Sequence, residues 1–540
     1  VRFVVILIIL VSLIPKAFFS AQLPFDADFV PIVWWGWDWL NGGVFPTYGT
    51  LSSVGAYNLP FLVWLHLPAL VLTRDPQMAI LATLLWVNVL GMACVYALGR
   101  ELFNARVGLG ALILYAFSET VITSAYTAWA QVLLPAFFAF VGLALWRWYR
   151  TGRGRYLAAA GVLATCAFMM HFSAILLFPV LLVFWLLSRA QWSWRGVGVG
   201  TVICVALLLP YGLFQVQRDF SDLRAFITRT PQVPSETMAF YRDLAYPPEN
   251  SPLPLPDAPN TPQDAPSSAV KTPPTLATRA LNEASTALGV LVAFAPLSSP
   301  SGGIVGVLAL CAIGLALLWG LPHTLGRWRT LAEHAHGRAV LLALMSAVFL
   351  GGMLITRTLP TEQPTYLMGL LAWGSVLVAW AIDTLLTRLG ALRWRTMLLW
   401  GACVCVAMVS VGSRIERQAT REDTLFPQAW YFNSVARVVD AIAQDWNSPN
   451  ALTVAYDTLP EMRFQWWALA WHTVDARYRQ TMAYDFLLLA RHNLQNKNTS
   501  AIGTAETYDY LVVFTDGLSR YDDGAYDVQI LGKIALLKPR

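Results

Sequence analysis

Charge is scarce in this chain. Asp, Glu, Lys and Arg together make up 13% of its 540 residues, against roughly 25% in an average soluble domain. The sequence holds no basic block and no nucleic-acid motif, so the net charge of +5 does not point to nucleic acid as a partner. Cysteine is sparse too. All six (Cys94, Cys166, Cys204, Cys311, Cys403 and Cys405) fall inside apolar runs, and none is left for a disulfide in the water-exposed parts. Cys403 and Cys405 lie in a helical span, where positions two apart do not share a face. They read as small buried hydrophobes rather than metal ligands. His334 and His336 read as an incidental loop pair, and no internal repeat is found. The apolar start Val1–Ile14 lacks a small-residue cleavage site before the acidic stretch that follows, so it reads as a retained first span.

Hydrophobicity takes the place of charge: 56% of the residues are apolar. Runs near 1–21, 77–98, 107–126, 128–149, 156–171, 173–188, 197–215, 301–320, 339–357, 366–383 and 396–413 approach the roughly 20 residues that cross a bilayer. The expected fold class is an all-α polytopic membrane protein of about 11 transmembrane helices, with a small C-terminal extracytoplasmic α/β domain. Residues 1–413 form the membrane domain and 414–540 the outer domain. In the latter, Leu452–Tyr456 and Tyr510–Phe514 read as buried strands, Phe486–Asn493 as a short helix, and Val528–Ile530 with Ile534–Leu537 as a hairpin.

The loops set the orientation. Arg100 and Arg106, Arg147 to Arg155, Arg189 and Arg195, Arg327 to Arg338, and Arg388 to Arg395 fall on one side if the loops alternate. Asp26, Asp28, Asp38, Asp75, Glu119 and Glu362 fall on the other, with few cations beyond Arg74 and Arg357. The positive-inside rule makes the arginine side cytoplasmic. The N-terminus is then cytoplasmic, the C-terminal domain is outside, and the expected location is the plasma (inner) membrane. Two outer loops stand out, 22–76 and the proline-rich 216–300, which reads as a flexible insertion.

The first outer loop contains Pro24-Phe25-Asp26-Ala27-Asp28-Phe29, followed by Trp34, Trp35, Trp37 and Trp39 beside Asp38. Tryptophan clusters settle at membrane–water interfaces, so this segment reads as a short helix along the outer surface. Asp26 and Asp28 would sit near headgroup depth, where desolvation raises a carboxylate's proton affinity and makes it a better base. The alternative is a solvated loop whose acids merely follow the topology.

After the acidic first outer loop come Asn58-Leu59-Pro60-Phe61-Leu62, then Tyr96-Ala97-Leu98-Gly99-Arg100-Glu101-Leu102-Phe103 followed by Arg106-Val107-Gly108. Ser124-Ala125-Tyr126 runs through Trp129-Ala130-Gln131, and Thr365-Tyr366 precedes the tenth span. In these features, closely from Asp26 to about Pro179 and more loosely at Thr365-Tyr366, the chain resembles the glycosyltransferase C superfamily, in the branch shared by protein O-mannosyltransferases and the aminoarabinose transferase of lipid A. Two departures stand out. Ala27 replaces the usual Glu, which leaves Asp26 and Asp28 as alternative bases, and Met170-His171 replaces a Thr-Lys pair.

The resemblance implies a donor sugar on a polyprenyl phosphate embedded in the lipid bilayer, and an acceptor hydroxyl on a glycan, lipid or protein. Phosphate leaves without protonation, so one carboxylate suffices, as base, for inverting attack. Cations stabilise the departing phosphate, and the candidates are His171, Arg218, Arg224, Arg229, Arg242 and Arg357. The alternative for His171 is the cap of a helix hairpin. Tyr48, Asn58, His66, Tyr126, Gln131, Glu362 and Tyr366 are candidates for the acceptor cavity. No metal ligand is assigned and the cofactor is left unknown: Asp26 and Asp28 leave room for a divalent metal, although two aspartates are a thin ligand set. Two other classes compete. A lipid or sugar transporter would need charged or broken helices at midplane, and a non-catalytic envelope binding protein would not need acids after the first span.

Overall fold

The computed structural model describes residues 2–20, 30–50, 57–188, 192–228, 300–325, 328–355, 368–388, 394–420 and 432–447, together with Leu23 and Phe25. Nearer the C-terminus it describes 452, 454–457, 487–488, 491, 509–514, 521, 525–531 and 534–540. Asp26, Asp28, Arg229, Arg242, Arg357, Glu362, Tyr366 and the proline tract lie outside the described residues, as does most of the expected helix at 486–493.

The helices run in order α1 (Arg2–Phe19), α2 (Val30–Leu40), α3 (Phe61–Thr73), α4 (Pro76–Leu102), α5 (Ala105–Ala116), α6 (Glu119–Thr123), α7 (Ala130–Thr151) and α8 (Gly154–Met170). After a short 3-10 turn come α9 (Leu177–Ser188), α10 (Trp194–Gln217), α11 (Ser221–Thr228), α12 (Pro300–Leu325), α13 (Ala335–Ile355), α14 (Leu371–Arg388), α15 (Arg395–Thr420) and α16 (Phe432–Asp445). Every expected span overlaps at least one of these. Among the described residues, six helices are long and apolar enough to cross a membrane. Two expected spans are broken. In 107–126, α5 stops at Ala116, and Ser118 accepts from the Val121 amide to start α6. In 173–188, a 3-10 turn over Phe172–Leu176 precedes α9.

The chain clusters into two compact units. The first holds 1–20, 81–210 and 274–423. At its centre are α7 and α14, while α1 and α10 turn apolar side chains such as Ile14 and Val202 outward. Outward apolar faces suit lipid as solvent. Lipid also accounts for Cys311 and Cys405, which are exposed where the sequence suggested burial; Cys403 is buried, on a different side of α15.

The 96–108 motif has a packing role in this unit. A Cβ on Gly108 would lie 2.7 Å from the Tyr96 carbonyl and 2.9 Å from the Arg100 amide, so only glycine lets α4 and α5 approach this closely. Asn104 caps α5 by accepting from the Arg106 and Val107 amides, and it donates to Asp383 at 3.2 Å. Lys16 is buried in α1, where its ammonium donates to the Ala116 carbonyl at 2.7 Å and caps the end of α5.

The second unit holds 21–80, 211–273 and 424–540, so it gathers the connections before α4 and after α10 with the C-terminal part. Its sheet has the order β1-β2-β4-β3, from Val454–Asp457, Tyr510–Phe514, Ile534–Pro539 and Tyr526–Leu531. β1 pairs parallel with β2, and the other pairs are antiparallel, including the expected hairpin. The turn residues Gly532 and Lys533 lie outside the described residues. Leu511, Val513, Ala535 and Leu537 form the core of the sheet. The amphipathic α16, not anticipated from sequence, buries Val435, Val438, Val439 and Ile442. Arg491 ties this part to the connection between α3 and α4 through Asp75 at 3.3 Å, and also pairs with Asp440 at 3.6 Å.

Candidate functional site

In the second unit the connection between α1 and α4 folds around aromatic side chains. α2 and α3 pack together, and a Cβ on Gly36 would lie 2.7 Å from Leu67. The tryptophan segment is thus helical, as expected, with Trp35 buried and Trp39 exposed. The helix α3 was not anticipated. Pro60 is tolerated because it stands at the N-cap, where no helical bond is lost. Asn58 clamps an extended pair: its amide donates to the Thr50 carbonyl at 2.8 Å, and its side chain donates to the same oxygen at 2.9 Å.

Around this clamp Tyr48 stacks on Phe214 with ring centroids 4.5 Å apart, and it meets Tyr57 at 5.0 Å and Trp35 at 5.1 Å. The Arg218 guanidinium lies over Tyr57 at 5.1 Å and over Phe214 at 5.2 Å, a cation–π geometry. The chain then reverses through Asp219 (φ 49°) and Phe220 (φ 57°), left-handed conformations that are strained for residues other than glycine. This turn brings Asp222 back onto α10. The carboxylate is buried, 3.8 Å from Arg218, and accepts from the Gln215 side chain at 2.5 Å, with the Tyr211 hydroxyl 3.5 Å away. Tyr211 donates its proton to the Tyr57 carbonyl at 2.8 Å. Burial pushes the Asp222 carboxyl above the usual range, opposed by Gln215 and Arg218. The result is a half-buried cation on an aromatic platform beside a carboxyl group.

The structure thus brings Tyr48, Asn58 and Arg218 into one neighbourhood. Arg224 is exposed and donates to the Asp219 carbonyl. His66 is buried in α3 rather than lining an open cavity. Its Nδ1 donates to the Leu62 carbonyl at 2.7 Å, its Nε2 has no hydrogen-bond partner among the described residues, and burial lowers its pKa to about 4.

The remaining candidates belong to the first unit. Tyr126 is buried with Phe19 and Ile122, and Gln131 is half-buried in the first turn of α7. His171 caps the turn after α8: its Nδ1 accepts from the Ser173 amide at 3.2 Å and lies 2.7 Å from the Ser173 hydroxyl. Among the described residues no three of His, Cys, Asp and Glu converge as metal ligands. Sequence reading missed Tyr57, Tyr211, Phe214, Gln215 and Asp222. Tyr211, Phe214, Gln215 and Arg218 recur at i, i+3, i+4 and i+7, a polar–aromatic stripe closing an otherwise apolar helix that could have revealed them.

This arrangement is that of a polytopic membrane protein with an ArnT-like fold. The chain is similar to ArnT from Cupriavidus metallidurans in the apo state, with a TM-score of 0.51 and 13% identity over 99% of this chain and 98% of that one. The same protein bound to undecaprenyl phosphate matches with a TM-score of 0.51 and 13% identity over 99% and 97%. The Archaeoglobus fulgidus oligosaccharyltransferase aligns at a TM-score of 0.49 and 12% identity, covering 96% of this chain and 68% of its own. No curated protein sequence matches the chain. Residues 58–214 match the sequence model of the dolichyl-phosphate-mannose-protein mannosyltransferase family. The resemblance to the glycosyltransferase C superfamily is thereby borne out.

Proposed function

We propose that the chain is a membrane glycosyltransferase that moves a sugar from a polyprenyl-phosphate donor to an acceptor hydroxyl at the outer face of the plasma membrane. The observation that carries this reading is the family match over residues 58–214, since the family is named for transfer from a polyprenyl-phosphate sugar. The full-length fold similarity to ArnT, a protein crystallised with undecaprenyl phosphate, supports it. In this reading Asp26 or Asp28 deprotonates the acceptor, which attacks the anomeric carbon with inversion, and the phosphate departs with the bond's electrons. Arg218 is the described outer cation best placed to receive that phosphate: it is held rigidly on two rings yet retains 23% of its side-chain exposure. The arginine loops face the cytoplasm, and the C-terminal domain lies outside.

The test compares the glycolipids and glycoproteins of cells with and without the gene by mass spectrometry. Loss of one glycosylated species, restored by the wild-type gene, is expected. An unchanged glycome would favour the envelope binding reading instead.

A further inference from the structure

At the arginine-rich ends of the helices in the first unit lies a cavity of about 490 Å³ between α4, α7 and the start of α8. Its walls carry Arg100, Arg147 and Arg150 against one acid, Glu101. Glu101 is taken by Arg147 through Nη2 at 2.7 Å and Nε at 3.1 Å, and Arg150 stands 3.9 Å away. Arg100 is exposed and has no ion-pair partner among the described residues. Cationic charge therefore exceeds anionic charge in the cavity. Tyr96 and Tyr156 add phenolic hydroxyls to the same walls.

The neighbouring cavity, of about 410 Å³, shows the contrast. Arg338 there directs its guanidinium to the carbonyls of Leu102 at 2.6 Å, Ala332 at 2.9 Å and Glu333 at 3.0 Å, while lying over Trp146. That arginine is used up in holding helices together. The first cavity has donors to spare.

A second observation indicates what would use them. Trp86 and Leu90 are exposed on α4, and with Ala97 in the cavity wall they fall four and seven residues apart on one helix face. An outward apolar track thus leads into a cationic cavity, which suits an amphiphile with an anionic head. We propose that this cavity binds the phosphate of an anionic phospholipid, with Arg100 and Arg150 as its ligands and the acyl chains lying along α4. The inference is independent of sugar transfer, which is read at the opposite end of these helices, and its readout is lipid retention rather than turnover.

The full chain is purified and equilibrated in phosphatidylcholine micelles containing phosphatidylglycerol, and retained lipid is measured by native mass spectrometry. Phosphatidylglycerol should be retained over phosphatidylcholine. The Arg100→Gln/Arg150→Gln double variant should lose retention roughly twenty-five-fold, at roughly fivefold per arginine. It leaves the Arg147–Glu101 pair intact, so folding, followed by monodispersity and thermal midpoint, should hold. Should that variant misfold, Arg100→Gln alone should still lose roughly fivefold. Arg153→Gln, outside the cavity, should stay within about twofold. Equal retention by the double variant, or of phosphatidylcholine by the wild type, would overturn the site. Displacement of the lipid by inorganic phosphate at matched ionic strength would overturn the lipid as its source.

Discussion

At the end of α10 one arginine meets one buried carboxylate, whereas at the ends of α4 and α7 three arginines line a cavity with a single glutamate, which pairs with two of them. In the first cluster Arg218 and Asp222 are further held by Gln215, Tyr211 and two aromatic rings, and the chain is bent through two left-handed residues to bring them together. In the second, Arg100 extends from an unstrained helix. A compensated, strained cluster fixes geometry, which suits positioning a reacting group. An uncompensated one leaves a field for a ligand of opposite sign.

The largest effect expected on this contrast is catalytic. If the outer side carries the chemistry, Asp26→Asn or Asp28→Asn should reduce sugar transfer by roughly 10²–10⁴-fold, the range for loss of a general base, while insertion and donor binding persist. Asn keeps the shape of Asp but cannot accept a proton at neutral pH. Full activity in both single variants and the double variant would remove the catalytic loop and erase the contrast.

Arg218→Gln tests compensation directly. It leaves the buried Asp222 without its cation and should lower stability by about 2 kcal/mol, discounted from the cost of breaking a fully buried pair because Arg218 is partly exposed. Burial raises the Asp222 pKa in the folded state, and Arg218 stabilises only the charged form. The deficit should therefore be smallest in acid and grow as the pH rises through the Asp222 titration. Arg100→Gln should leave the thermal midpoint unchanged throughout. Equal midpoint shifts for the two variants would show that the clusters do not differ.

Near the arginine end, Gly108→Ala should push α4 and α5 apart at backbone contacts and cost about 1–3 kcal/mol, readable as a lower thermal midpoint. A neutral result would mean that the helices separate freely and that the cavity wall is not rigid.

The smallest effect concerns an exposed pair in the second unit. Hydrogen bonds from Lys538 and Tyr510, each at 2.6 Å, hold Asp445 below the usual carboxylate range. Its contribution should be present above the ordinary Asp pKa and fade as the pH falls through the depressed value. Asp445→Asn should cost about 0.5 kcal/mol at neutral pH, seen as faster amide exchange in the β2–β4 pair, with no further loss in acid.

The elements of the second unit were legible only in part. The tryptophan helix and the β hairpin announced themselves through local pattern, an interfacial aromatic cluster in one case and apolar alternation in the other. α3 went unread because Pro60 and Pro68 look like breakers in sequence, although Pro60 stands at a helix start. Tyr126 and His66 carry polar groups at positions that looked open to a cavity, and both side chains are buried. Burial of one residue depends on what packs over it, and no local pattern records that.

Membrane placement, the positions of the spans and the split between arginine-rich and acidic loops follow from the sequence by itself, because desolvation acts on each segment separately. Tertiary structure alone decided which helices are enclosed. α7 and α10 are both apolar enough to span, yet 83% of the most apolar stretch of α7 is buried and only 6% of that of α10. Lipid and protein interior are equally apolar solvents, so hydrophobicity cannot tell them apart, and the choice falls to close packing and interhelical hydrogen bonds. Asp222 was decided in the same way. Only the reversal at Asp219 and Phe220 turns an ordinary loop acid into the buried partner of Arg218.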